Sequence, residues 1–119
     1  MKIKLCGLKD KGSILAASDA DYIGFVFYQK SSRFINELDA KKLRKFISKN
    51  QKLVGLFVNA DINVINHITD FLKLDIIQLH GDEDADYIDK IRKLKKPIIK
   101  AIPLKNYSDL ENARKYEKI

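Results

Sequence analysis

Five times along this chain a short run of β-branched and aromatic residues is followed by a longer stretch with helical spacing, and that alternation leaves few folds open. The runs are Ile3 to Cys6, Tyr22 to Phe27, Leu53 to Val58, Ile76 to His80 and Ile98 to Ile102. Each is too short for a helix and reads as a strand buried on both faces. Between them, Ala40, Leu43, Phe46 and Ile47, and then Val64, Ile65, Ile68, Phe71 and Leu72, recur at helical intervals among polar neighbours. Asp61, Asp82 and Ser108 stand where they can cap the third, fourth and fifth helices. Strands alternating with helices of roughly 10 to 15 residues imply crossover connections and an all-parallel α/β sheet. Two closures fit: five consecutive units of a (β/α)8 barrel, or an open flavodoxin-like sheet with strand one between strands two and three. In either, chemistry belongs at the C-terminal ends of the strands.

At 119 residues the chain is expected to form one domain, residues 1–119, burying on the order of two thirds of its unfolded surface. No apolar run approaches membrane-spanning length, and Met1-Lys2-Ile3-Lys4 alternates charge with apolar residues where a signal sequence would be hydrophobic. A single cysteine forms no internal disulfide, so a reducing cytoplasm is the simplest setting. Pro97 and Pro103 punctuate the two ends of the fifth strand.

The net charge of +7 raises the question of nucleic acid, since clustered cations release counterions from phosphate. The basic clusters, Lys41-Lys42, Arg44-Lys45, Arg92-Lys93 and Lys95-Lys96, fall on the solvent faces or C-terminal ends of expected helices, where cations favour the helix dipole. A solvated face is therefore the favoured reading, with no nucleic-acid partner, although excess lysine also draws in small anions.

Three residues at strand ends carry potential chemistry. Cys6 ends strand one and is followed by Gly7, which lets a ligand approach the backbone closely. A lone cysteine is commonly a small buried hydrophobe; as a base its thiol, with a reference pKa of about 8.5, needs nearby positive charge or donors. His80 sits at the rim of strand four, as a structural hydrogen-bonding residue or a substrate contact. Arg33, in the loop Lys30-Ser31-Ser32-Arg33-Phe34 after strand two, is either solvated or able to grip a carboxylate or phosphate with both guanidinium arms. Metal ligation is poorly supported, because one cysteine and two histidines lack paired ligand spacing, and His67 reads as a structural mid-helix residue.

In order and spacing, Lys4-Leu5-Cys6-Gly7, Gly24-Phe25-Val26-Phe27, Lys30-Ser31-Ser32-Arg33-Phe34, Gly55-Leu56-Phe57-Val58-Asn59 and Gln78-Leu79-His80-Gly81-Asp82-Glu83 resemble the motifs of phosphoribosylanthranilate isomerases, (β/α)8 barrel enzymes of tryptophan biosynthesis. Each motif alone is modest, but together they are specific. The resemblance implies an Amadori rearrangement of N-(5-phosphoribosyl)anthranilate to 1-(2-carboxyphenylamino)-1-deoxyribulose 5-phosphate without metal or organic cofactor. It implies Cys6 as general base, Arg33 as the grip on the anthranilate carboxylate and His80 as a wall of the substrate pocket.

It also implies parts that these five units do not carry. The family's general acid is an aspartate at the end of strand six, and its phosphate is held by glycine-rich loops after strands seven and eight. Asp109 falls at the start of an expected helix and Asp75 at the opposite end of the sheet, so neither matches that acid. The expectation is a partial barrel, inactive or nearly so alone, whose exposed strand edges seek a second copy or a complementing C-terminal fragment. The alternative is a non-catalytic remnant that binds a carboxylate through Arg33.

Overall fold

The computed structural model describes residues 2–101. The elements follow in strict alternation: β1 (Lys4–Cys6), α1 (Lys11–Ala16), β2 (Tyr22–Val26), α2 (Glu37–Arg44), β3 (Lys52–Phe57), α3 (Ile62–Leu72), β4 (Ile76–Leu79), α4 (Ala85–Ile91), a 3-10 turn (Arg92–Leu94) and β5 (Ile98–Lys100). All four strand pairings are parallel, and the sheet order is β1-β2-β3-β4-β5. Consecutive order is the barrel arrangement. It excludes the flavodoxin-like alternative, in which β1 would lie between β2 and β3.

Register sorts the side chains into two layers, because a strand alternates faces with period two. Ile23 and Phe25 of β2, Leu53 and Phe57 of β3, and Ile77 and Leu79 of β4 are fully buried on the convex face. They pack in one cluster with Ile14 of α1, Ala40 of α2, Ile65, Ile68 and Leu72 of α3, and Ile88 and Ile91 of α4. Each such side chain contributes about 1.5–3 kcal/mol of burial. The other face is concave and carries Lys4, Cys6, Val26, Leu56 and Gln78.

Burial on both faces holds for the middle of the sheet and fails at its flanks. Leu5 of β1 is 41% exposed and Ile99 of β5 is 39% exposed, since among the described residues each of these strands has only one neighbour. Val64, expected on the apolar stripe of α3, is 47% exposed, while Ile65 and Ile68 take the packed positions.

Helix starts follow local capping chemistry. Asp10, Asn36 and Asp61 accept backbone N–H bonds at the starts of α1, α2 and α3, the last as expected. The cap of α4 is Asp84, whose Oδ1 accepts the Tyr87 N–H at 2.8 Å, and not Asp82. The Asp82 N–H is instead directed to Asn59 Oδ1 at 2.9 Å, which holds residue 82 in the preceding loop and moves the helix start two residues on. Ser108, Pro103, Asp109 and the fifth helix lie outside the described residues. The basic cluster on α2 faces the C-terminal end of α3: Lys41 Nζ donates to the Phe71 carbonyl at 2.9 Å and Arg44 Nε to that of Leu72 at 3.2 Å. These cations satisfy helix-end carbonyls, in line with the solvated-face reading. No helix among the described residues is long and apolar enough to cross a membrane.

At the N-terminal end of the sheet, two aspartates tie strand starts together. Asp21 Oδ2 accepts the Ile3 N–H at 2.8 Å, and Asp75 Oδ2 accepts the Leu53 N–H at 2.8 Å. Asp75 thus lies at the end of the sheet away from the rim, as the sequence suggests. Replacing Asp75 with Ala leaves the part-buried Leu53 N–H without that acceptor and is expected to cost about 1–3 kcal/mol. Asp75→Asn, which keeps an acceptor oxygen, should cost clearly less. Urea unfolding followed by circular dichroism reads both, and equal losses would show that the hydrogen bond is not what matters.

Candidate functional site

Where β1 to β4 end, the concave face opens into a cavity of about 560 Å3 lined by Lys4, Cys6, Val26, Tyr28, Ser31, Ser32, Arg33, Leu56, Val58, Gln78 and His80. The three residues singled out in the sequence therefore meet around one space, although they come from β1, the β2–α2 loop and the end of β4. The lining carries Lys4, Arg33 and His80, and no carboxylate among the described residues. Such a wall favours an anion.

Cys6 is half-buried, and two glycines shape its surroundings. A Cβ on Gly24, its ladder partner on β2, would stand 2.8 Å from the Cys6 sulfur, so the absent side chain is the room the thiol occupies. Gly7 has φ 84° and donates its N–H to the Gly24 carbonyl at 2.9 Å, while a Cβ there would collide with the Arg33 stem. Burial pushes the Cys6 thiol above its ordinary value. The Lys4 and Arg33 charges and the Gly7 N–H pull the other way without cancelling that rise.

The β2–α2 loop is folded back onto its own strand. The Ile35 N–H donates to the Val26 carbonyl at 3.0 Å, Phe34 bridges to Val26, and Ser31 Oγ accepts the Arg33 N–H at 3.1 Å. Lys9 Nζ reaches across from the β1–α1 loop to the Ser32 carbonyl at 3.1 Å. These ties carry Arg33 to the cavity's mouth, where it is exposed.

His80 follows β4, still laddered through its N–H to the Phe57 carbonyl at 3.0 Å, and its exposed ring lines the cavity. The backbone beyond it is fixed by a buried carboxylate. Glu83 accepts from the Asn59 N–H at 2.8 Å and the Gly81 N–H at 2.9 Å, and pairs with Lys100 Nζ at 3.0 Å; the same ammonium donates to the Gly81 carbonyl. Burial opposes the charge on Glu83, but the Asn59 N–H and Lys100 together outweigh it and hold the carboxyl below its usual range. Nearby, Tyr87 donates its hydroxyl to the Ala60 carbonyl at 2.5 Å. Its pKa is pushed up to about 12 by burial and by the Glu83 and Asp61 charges.

His67 is elsewhere, on α3, with Nε2 at 2.8 Å from Glu37 Oε2 and its ring stacked on Phe71 at 5.7 Å. Among the described residues no group of three or more His, Cys, Asp or Glu side chains converges as a metal site would. Lys4 and Gln78 belong to the cavity although the sequence reading did not select them. Their signal was available: each stands two residues before a selected one, Cys6 or His80, and period two puts them on the same face.

A consecutive parallel sheet with helices outside and a cationic cavity at its C-terminal rim defines the (β/α)8 barrel class, of which the described residues supply five strands. Within it, a family model for N-(5'-phosphoribosyl)anthranilate (PRA) isomerase matches residues 3–119, and the chain belongs to that family. It is 40% identical over 119 residues to the N-(5'-phosphoribosyl)anthranilate isomerase of Thermoanaerobacter sp. strain X514, covering 98% of this chain and 57% of that protein. The chain thus spans a little over half the length of such relatives. A phosphoribosyl anthranilate isomerase crystallised with reduced 1-(o-carboxyphenylamino)-1-deoxyribulose 5-phosphate superposes with a TM-score of 0.92 at 32% identity, over 100% of this chain and 62% of that one. Mutually generated monomers of the dimeric enzyme from Thermotoga maritima give a TM-score of 0.90 at 32% identity, with the same coverage.

Two substitutions test how the rim is built. Gly7→Ala combines a positive φ with a collision against Arg33 and is expected to lose about 1–3 kcal/mol in chemical denaturation. Gly12→Ala, where a Cβ meets nothing closer than 3.5 Å, serves as the control and should lose far less. For Glu83, folding lowers the carboxyl pKa, so its contribution is complete above the unfolded value of about 4.3 and fades as pH falls through the lower folded value. Glu83→Gln should therefore be less stable than the native chain at pH 7, with the gap closing in acid. A gap that stays constant from pH 7 to about pH 2 would refute the assignment of charge to Glu83.

Proposed function

We propose that this chain supplies the first five strands of a phosphoribosylanthranilate isomerase active site, and that Cys6, Arg33 and His80 act there on N-(5-phosphoribosyl)anthranilate. The observation that carries the reading is their convergence on one cavity at the rim of a partial barrel of this family. Support for the substrate class comes from the relative crystallised with the reduced product analogue.

In the reaction, protonation of the furanose ring oxygen lets the anthranilate nitrogen open the ring to a Schiff base. A base then takes the C2 proton, and the enolamine formed relaxes to the ketone, so atoms balance without any other reactant. Cys6, as thiolate, accepts the C2 proton. Arg33 at the mouth pairs in bidentate fashion with the anthranilate carboxylate, fixing the ring whose nitrogen drives the opening. His80 bounds the substrate from the β4 side.

No carboxylic acid lines the cavity among the described residues, so the proton for the ring oxygen comes from outside them. The phosphate clamp does too. Both are assigned to βα units that pair with the exposed flanks β1 and β5 and are carried by a complementing segment; a second copy, one relative being described as dimeric, would cover those flanks without supplying either group. A single cysteine suits the reducing cytoplasm of such a biosynthetic enzyme.

The test is growth of a tryptophan auxotroph lacking this isomerase. The 119-residue chain alone is expected not to support growth, and co-expression with the C-terminal three units of a relative is expected to restore it. In that pair Cys6→Ala should lower turnover about 10^2–10^4-fold, the range for loss of a general base. Undiminished growth with Cys6→Ala would overturn the role of Cys6, and growth from the chain alone would overturn the need for added units.

A further inference from the structure

Lys4 stands below the thiol on the same strand and the same face, in an interior position where a lysine is costly to keep. Its stem crosses the concave face from β1 to β4, three strands away, and its ammonium is held by the Gln78 side-chain oxygen, itself 7% exposed. A lysine that served only solubility would turn to water. This one is half-buried and tethered in the floor of the cavity, two residues from Cys6.

We propose that Lys4, anchored by Gln78, is a positioning residue that fixes a positive charge beneath Cys6 and so sets how readily the thiol becomes a thiolate. The inference rests on the reading of Cys6 as the base and adds to it the residue that makes a half-buried thiol usable. Among the described residues, the surroundings of Cys6 leave few other sources of charge. The β2–α2 loop brings Arg33, which is exposed at the mouth, and the end of β2 brings the Tyr28 phenol. β4 contributes His80 at the rim above Gln78, while β3 offers only Leu56 and Val58. Among the described residues, Lys4 is therefore the one cation lining this cavity whose charged group is tethered inside it. The opposing effects of burial and of the Lys4 charge on the thiol agree with this assignment. Charge beneath the thiol is also the arrangement that favours thiolate in general.

Because Cys6 is the only cysteine, its ionisation is read in the whole chain from thiolate absorbance near 240 nm, or from iodoacetamide alkylation against pH, without background from another thiol. Lys4→Met and Lys4→Gln are expected to raise the midpoint by about one pH unit, leaving about tenfold less thiolate at any pH below it. Lys4→Gln retains a hydrogen-bonding partner for Gln78 and keeps the test open should Lys4→Met fold poorly. Lys4→Arg, which preserves the charge, should stay within about twofold of the native thiolate fraction. Raising salt to about 1 M should erase most of the effect of an Arg33→Gln substitution at the exposed mouth while leaving most of the Lys4 effect.

A Lys4 that merely packed would change the thermal midpoint of unfolding and leave the thiol titration where it was. Native titration in a folded Lys4→Gln would overturn the proposal, and so would Lys4→Arg behaving like the neutral variants. The titration needs no turnover, so the two readings fail separately: an unmoved midpoint sinks the role of Lys4, and intact growth with Cys6→Ala sinks the role of Cys6.

Discussion

Parallel pairing imposes one constraint on everything above it: side chains alternate between faces, and the ladder fixes which residue sits beside which. Pairing of Cys6 with Gly24, and of Leu56 with Gln78, puts the thiol and Gln78 on the concave face and sends Ile23, Phe25, Phe57 and Leu79 into the helix-covered core. A slip of one residue in β1 would bury Lys4 and Cys6 against the helices and turn Leu5 into the cavity. The apolar core and the polar cavity are thus two outcomes of one register, and the core's burial energy enforces the geometry of the cavity wall.

Loops complete what strands begin. The turn after β2 is held by its own hydrogen bonds to Val26, and Gly7 is bare so that the Arg33 stem can cross it. After β4, the Glu83 carboxylate gathers backbone from the ends of β3 and β4 and the ammonium of β5. That buried ion pair joins three consecutive strand ends, and its charge is stabilised by donors rather than by solvent. Loop residues at such a rim are set with a rigidity usually associated with the strands themselves.

The five-unit alternation was legible because period-two and helical patterns differ and the apolar runs are strong. So was the convergence of Cys6, Arg33 and His80, once their motifs were taken together. The cap of α4 is not legible, because four acidic residues, Asp82, Glu83, Asp84 and Asp86, stand where α4 begins and compete for that position. Only the tertiary bond to Asn59 selects Asp84. Exposure of Leu5 and Ile99 escaped the pattern for a different reason: a strand's composition reports that it is apolar, not how many neighbours it has. The role of Lys4 is not legible in the sequence, because its tether, Gln78, lies 74 positions away.

Among the described residues the cavity gathers an ammonium and a guanidinium without a carboxylate, and the fold bears their mutual repulsion whenever the space is empty. An anionic ligand relieves that repulsion as it binds, so part of its affinity comes from removing strain in the electrostatics of the free protein rather than from new contacts. Selection for tight anion binding and selection for a stable empty chain therefore pull against each other at these residues. Substitutions that neutralise the rim are expected to accumulate wherever the catalytic demand has been lifted.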